Sequence, residues 1–187
     1  MKKRGVILCY FAVLMLVSGG CSIFGSGIYG VAEEERTNTA IYTDEKIKLT
    51  IDKRILGEEI NVFDCATFCY NGDVYLIGEY EKAEQKEKVL KIAHSVKGVK
   101  SVTTYLLPKK KIDTCGKMDH AAISIRVHGL LIEDHDIHST NIDVKVIQCH
   151  VVLLGIVGTQ SEADKAIAHA WSLDGVIGVM SYLKAMR

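Results

Sequence analysis

A single proline in 187 residues, and 16 glycines with no fixed period, exclude collagen-like and proline-rich low-complexity chains. Neither sign of charge is in excess. The 23 Lys+Arg balance 23 Asp+Glu, which removes the basic footprint of a generic nucleic-acid binder, so no nucleic-acid partner is expected. Catalytic signatures are missing too: there is no GxSxG elbow, phosphate loop or GxGxxG after a strand. Neither HExxH nor a paired CxxC is there to suggest a metal. No apolar run reaches the roughly 20 residues that a membrane-spanning helix needs. What remains, 48% apolar and 25% charged residues, describes a globular chain for which no catalytic residue, cofactor or metal is expected.

The longest apolar run, Val6 to Val17, follows Lys2, Lys3 and Arg4 and precedes Ser18-Gly19-Gly20-Cys21. This pattern reads as a secretory signal peptide over residues 1–20. Small residues just before a cysteine resemble the lipobox of bacterial lipoproteins, which implies that Cys21 is acylated and becomes the first residue of the mature chain. One acyl chain attaches a protein reversibly, whereas three hold it permanently. Ser22, in place of the Asp that favours inner-membrane retention, implies the outer membrane, facing the periplasm. Residues 21–43 carry Gly25, Gly27 and Gly30, then Glu33-Glu34-Glu35-Arg36, without sustained periodicity. They read as a lipidated flexible tether.

The rest of the chain is an internal repeat. Val74-Tyr75-Leu76-Ile77-Gly78 aligns with Val151-Val152-Leu153-Leu154-Gly155. At the same offset, Ala93, Gly98, Val99, Val102, Tyr105 and Leu106 meet Ala170, Gly175, Val176, Val179, Tyr182 and Leu183. The copies span 44–107 and 119–187, joined by a linker over 108–118 that contains the only proline. Ile47, Ile51 and Ile55 mark one helical face; Ile123, Val127, Leu130 and Leu131 mark its counterpart, expected over His120 to Ile132. Strands are expected at Asn61–Tyr70 and Val74–Glu79, around an Asn71-Gly72-Asp73 turn suited to a tight hairpin. In the second copy they are expected at Ile142–Ile147 and Val151–Val157, around Gln148-Cys149-His150. Second helices follow, on Val89, Ile92, Ala93 and Val96 and on Ala163, Ala166, Ile167 and Ala170. Gly98 and Gly175 sit where a left-handed helix cap is expected, and third strands close the units at Val99–Leu107 and Val176–Leu183. The fold class is therefore α+β: two tandem α-β-β-α-β domains, each with two helices packed on one face of a small three-stranded mixed sheet. Gly78, Gly98, Gly155 and Gly175 are its structural glycines.

This order, the V-x-L-x-G strand and the duplicated helix followed by G-V-x-x-V resemble the BON domain. The whole resembles the dual-BON-domain lipoproteins of the bacterial envelope. The resemblance implies a non-enzymatic protein that supports envelope integrity and binds phospholipid, anionic in kind, through the first helix of its second domain. On this sequence the implied contacts are Ile123, Arg126, Val127, His128, Leu130 and Leu131. The apolar members of that set also form the stripe expected to pack the helix on its sheet. The alternative is an adaptor that scaffolds envelope proteins without recognising lipid.

From Asp119 to Arg187 five Lys or Arg face eight Asp or Glu, a net of −3. Six of the seven histidines also fall there, so mild acid is expected to move this domain towards positive charge and could gate its lipid affinity. His120, His128, His135, His138 and Cys149 do not have diagnostic metal spacing. Beyond Cys21 the mature chain holds Cys65, Cys69, Cys115 and Cys149, and their pairing stays open: Cys65 and Cys69 in one regular strand would be about 13 Å apart, while Cys115 and Cys149 fall in linker and turn.

Overall fold

A computed structural model describes residues 36–57, 65–110 and 115–186. The expected signal peptide, Cys21 and the tether as far as residue 35 lie outside the described residues. So do 61–64 at the start of the first expected strand and 111–114 of the expected linker. Glu33–Arg187 is one compact unit. Its elements are α1 (Asn38–Gly57), β1 (Cys65–Tyr70), β2 (Asp73–Tyr80), α2 (Ala83–His94), β3 (Ser101–Pro108), α3 (Lys117–Glu133), a 3-10 turn (Ser139–Asn141), β4 (Ile142–Ile147), β5 (His150–Val157), α4 (Gln160–Trp171) and β6 (Gly178–Ala185).

Each half is an α-β-β-α-β unit with a mixed sheet. β2 is central, antiparallel to β1 and parallel to β3; β5 is central, antiparallel to β4 and parallel to β6. The parallel pairs require a crossover, supplied by α2 and α4. Several boundaries differ from the expected ones. The first helix begins at Asn38 rather than Asp44, so the stretch read as tether gives up its last residues. Thr37 Oγ1 accepts the Ala40 N–H at 3.2 Å and holds that early start. Pro108 ends β3 instead of opening a linker, a place at the end of an edge strand where its missing N–H costs nothing.

Three apolar clusters organise the molecule. Ile47, Ile51 and Ile55 of α1 and Val89 and Ala93 of α2 pack on Cys65, Cys69, Val74 and Leu76. Ile123, Val127 and Leu131 of α3 and Ala163, Ala166 and Ala170 of α4 pack on Val146, Val151, Leu153 and Val157. The third cluster joins the other faces of the two sheets: Tyr70, Tyr75 and Ile77 meet Ile147, Val152, Leu154 and Ile156. The order of layers is helices, sheet, sheet, helices, with the helix pairs of the two halves on opposite outsides. This explains why β2 and β5 are apolar on both faces rather than alternating.

Polar groups rim that inter-sheet core. The Tyr70 hydroxyl donates to Asp143 Oδ2 at 2.5 Å, and burial together with that carboxylate pushes the phenol far above its usual range. Lys184 Nζ meets Asp73 Oδ2 at 2.6 Å, which holds the Asp73 carboxyl below its usual range. The Gln148 side-chain amide donates to Glu79 Oε1 at 2.7 Å and to the Pro108 carbonyl at 2.9 Å.

The two hairpin turns are solved differently. Asn71 and Gly72 take φ of 53° and 85°, the paired left-handed dihedrals of a tight two-residue turn. In the second half β5 already begins at His150, paired with Ile147, so the turn is Gln148-Cys149 alone and His150 belongs to the strand. Its φ values of 48° and 60° are borne by non-glycine residues, at about 1–2 kcal/mol each. Two restraints hold them: the Gln148 amide bonds above, and a disulfide from Cys149 to Cys115 with Cα atoms 5.6 Å apart. Cys65 and Cys69 are buried thiols of β1. Gly98 and Gly175, just past α2 and α4, have φ of 100° and 89°, the left-handed caps expected of them. Gly78 lies in β2 opposite Cys65 and Leu106. Gly155 has φ of 144°, and a Cβ there would meet the Asn141 carbonyl oxygen at 2.0 Å.

Candidate lipid-facing surface

The helix that the sequence singles out, α3, starts beside the disulfide. Asp119 Oδ2 accepts the Gly116 N–H at 2.9 Å and closes its first turn. Its inward face carries Ile123, Val127 and Leu131, all buried, with Leu130 half-buried against the same cluster. Those three buried residues therefore pack the helix on its sheet, and of them Ile123 also reaches the wall of a neighbouring cavity. Arg126 is exposed and His128 is half-buried.

The outward face of α3 is apolar for a different reason. Ile125 and Ile132 are 71% and 67% exposed, one above the other at a spacing of seven, and Ala121 and Ala122 beside them are exposed as well. Sequence reasoning missed this pair because it followed the stripe with the stronger helical periodicity, which is the one that builds the core. The available signal was two β-branched residues off that stripe, where a solvated helix face carries polar side chains.

Next to this face is a cavity of about 450 Å³ between the N-terminal half of α3 and the loop before β6. The Cys115–Cys149 pair and Ile123 line it together with Ala122 and Ile177, while Lys110 and Arg126 supply two cations and Asp119 and Asp174 two acids. The histidines of this half are partly committed: His169 Nε2 lies 2.9 Å from Asp134 and holds that carboxyl below its usual range, and His138 Nδ1 lies 3.4 Å from the buried Glu162. His150 Nδ1 is 3.0 Å from the Gln148 carbonyl. Cys149, being bridged, offers no thiolate to a metal, and the described residues contain no group of three or more His, Cys, Asp or Glu placed to hold one. No helix among them is long and apolar enough to cross a membrane.

The BON domain pattern matches residues 43–107 and 119–185, the two α-β-β-α-β halves just described. The chain belongs to the BON domain family. Its second BON domain carries most of α3 and most of the cavity lining, and its first most of α1. Over nearly its whole length the chain is similar to outer membrane lipoprotein DolP of Haemophilus influenzae, with 27% identity over 193 residues, 98% of this chain and 96% of that protein. Osmotically-inducible protein Y of Escherichia coli K12 is 31% identical over 113 residues, 59% of this chain and 56% of that protein. Among solved structures, CdsD of Chlamydia trachomatis, a structural protein of the type III secretion system, superposes with a TM-score of 0.33 at 10% identity over 74% of this chain and 91% of that one.

Proposed function

We propose that this protein is a non-enzymatic lipoprotein of the outer membrane, anchored through Cys21 and facing the periplasm. In this reading its second BON domain contacts anionic phospholipid through the outward face of α3 and so supports envelope integrity. The observation that carries the reading is the exposed Ile125–Ile132 pair, with Arg126 beside it at the mouth of the cavity. Apolar side chains entering the headgroup boundary next to a cation are what an interfacial helix presents. A cation near an anionic surface adds about 1 kcal/mol, enough to offset part of the domain's net negative charge locally. The full-length similarity to a named outer membrane lipoprotein supports the location, and the lipobox-like Ser18-Gly19-Gly20-Cys21 supports the anchor.

The test is co-flotation of the compact unit, Glu33–Arg187, with vesicles of phosphatidylethanolamine with or without phosphatidylglycerol, at neutral and mildly acidic pH. Flotation should require phosphatidylglycerol and weaken at least fivefold in Ile125→Ser/Ile132→Ser. It should strengthen in mild acid if the histidines gate it. A variant that floats as well as the parent overturns the role of α3. A parent that never floats returns the protein to the adaptor reading, with capture of envelope proteins as its readout.

A further inference from the structure

The duplication that placed Ile125 and Ile132 on the outside of α3 has left the same feature on α1. Tyr42, Leu49 and Leu56 are 72%, 58% and 66% exposed. They correspond, 76 positions earlier, to Met118, Ile125 and Ile132. At spacings of seven they form one ridge along the outer side of α1, about 21 Å long, with Ile47, Ile51 and Ile55 buried on the opposite side. The slopes are charged. Lys46 and Lys53, with Glu45, Thr50 and Arg54, line the outer face beside Tyr42 and Leu49. Glu45 is paired with Lys48 at 3.8 Å, and Asp52 is half-buried.

We propose that α1 of the first BON domain is a second surface for anionic phospholipid, facing away from the surface on α3, so that one molecule can engage two bilayers. The inference rests on the proposed lipid contact of α3 and extends it to the other half. Charge favours lipid as the occupant: Lys46, Lys53 and Arg54 stand on the ridge's outward side against a single acid, Glu45, which is paired with Lys48, so cations are in excess where headgroup phosphates would lie. The form of the ridge argues against a second helix. A helix partner needs apolar residues at two positions per heptad, whereas the positions between Tyr42, Leu49 and Leu56 that would complete the seam are Glu45, Lys46, Asp52 and Lys53. A single apolar ridge with lysine stems along one side is suited to a headgroup boundary. Chain length agrees. Asn38, the first residue of α1, follows Cys21 by seventeen positions, so an anchor at Cys21 can lie no further than about 60 Å from α1. Because the helix pairs occupy opposite outer layers, a single flat bilayer meets α1 or α3 but not both.

The experiment uses Glu33–Arg187 with the same phosphatidylglycerol-containing vesicles and reads flotation together with vesicle clustering by light scattering. The parent should float and cluster. Tyr42→Ser/Leu49→Ser/Leu56→Ser should float within about twofold of the parent yet no longer cluster, and Lys46→Glu/Lys53→Glu, which leaves the ridge intact, should behave likewise. Ile125→Ser/Ile132→Ser should retain weak flotation that disappears when the α1 substitutions are added. All these side chains are exposed, so unchanged thermal unfolding midpoints show that the variants fold. Clustering that survives the α1 substitutions, or a parent that floats without clustering, overturns the inference while leaving α3 as the lipid contact. An α3 variant with no residual flotation overturns it too, since a ridge that only joins two protein copies would give that result. Undiminished flotation of the α3 variant, lost on changing α1, would instead overturn the role of α3.

Discussion

At the scale of single residues, the second hairpin and its surroundings concentrate the backbone demands. Gly155 is held at φ of 144° with the Asn141 carbonyl where a Cβ would stand. Neither the strand nor the 3-10 turn can retreat without breaking the β4–β5 ladder. Gly155→Ala is therefore expected to destabilise by at least about 3 kcal/mol, beyond the range of ordinary single substitutions. Gly175→Ala meets only a side-chain methyl at 3.9 Å and should cost about 1–2 kcal/mol, the left-handed penalty alone. Urea unfolding of the two variants checks the ranking, and equal losses would refute the steric account. The sequence marks both glycines through the repeat alignment, but it does not show that one is constrained by space and the other by dihedral angle.

At the scale of elements, the two BON domains fasten the first helix to the hairpin turn by different chemistry. In the first, the buried Asp44 of α1 accepts the Asn71 and Gly72 N–H groups at 2.7 and 2.8 Å. Its other neighbours are the Cys69 thiol at 3.3 Å and Arg36 at 3.4 Å. Burial, and after it this carboxylate, pushes the Cys69 thiol up to about 12, so Cys69 stays protonated and donates. In the second, the position 76 residues after Asp44 is His120, and the tie is the Cys115–Cys149 bridge from the segment before α3 to the turn. A bridge separated by 34 residues contributes about 3–4 kcal/mol by loop closure, and Asp44→Ala, which strips two turn amides of their acceptor, should cost about 1–3 kcal/mol. Reductant should thus lower the urea midpoint of the parent and leave that of Cys115→Ser/Cys149→Ser unchanged; a parent indifferent to reductant would refute the covalent tie. The pairing was not legible beforehand because Cys115 lies outside any periodic segment. The helices were legible because each has one buried face with its own period, and the central strands β2 and β5 because their unbroken apolar runs are bounded by turn residues.

At the scale of the whole molecule, the sequence describes two units in tandem and the structure shows a shared core. The signal was in β2 and β5, whose unbroken apolar runs demand cover on both faces, but nothing in either run names the partner that supplies it. The partner is the other sheet, through Tyr70, Tyr75, Ile77, Val152 and Leu154, and its edge carries Tyr75 against Tyr182 with ring centres 5.3 Å apart. The same packing sends α1 and α3 to opposite outsides, which leaves the two exposed apolar ridges of the proposed lipid contacts on separate surfaces. It also makes stability a joint property. Ile77 belongs to the first BON domain and is fully buried in the inter-sheet cluster, so Ile77→Ala should cost about 2–5 kcal/mol. Trp171, the only tryptophan, stands on α4 of the second domain and reports that domain alone by its fluorescence. If the sheets fold as one cooperative body, the urea midpoint read from Trp171 must fall in Ile77→Ala and coincide with the midpoint read by far-ultraviolet circular dichroism. A tryptophan transition left in place by this substitution would mean that the second domain does not depend on the first, and the inter-sheet contact would then be an accommodation between two independent folds.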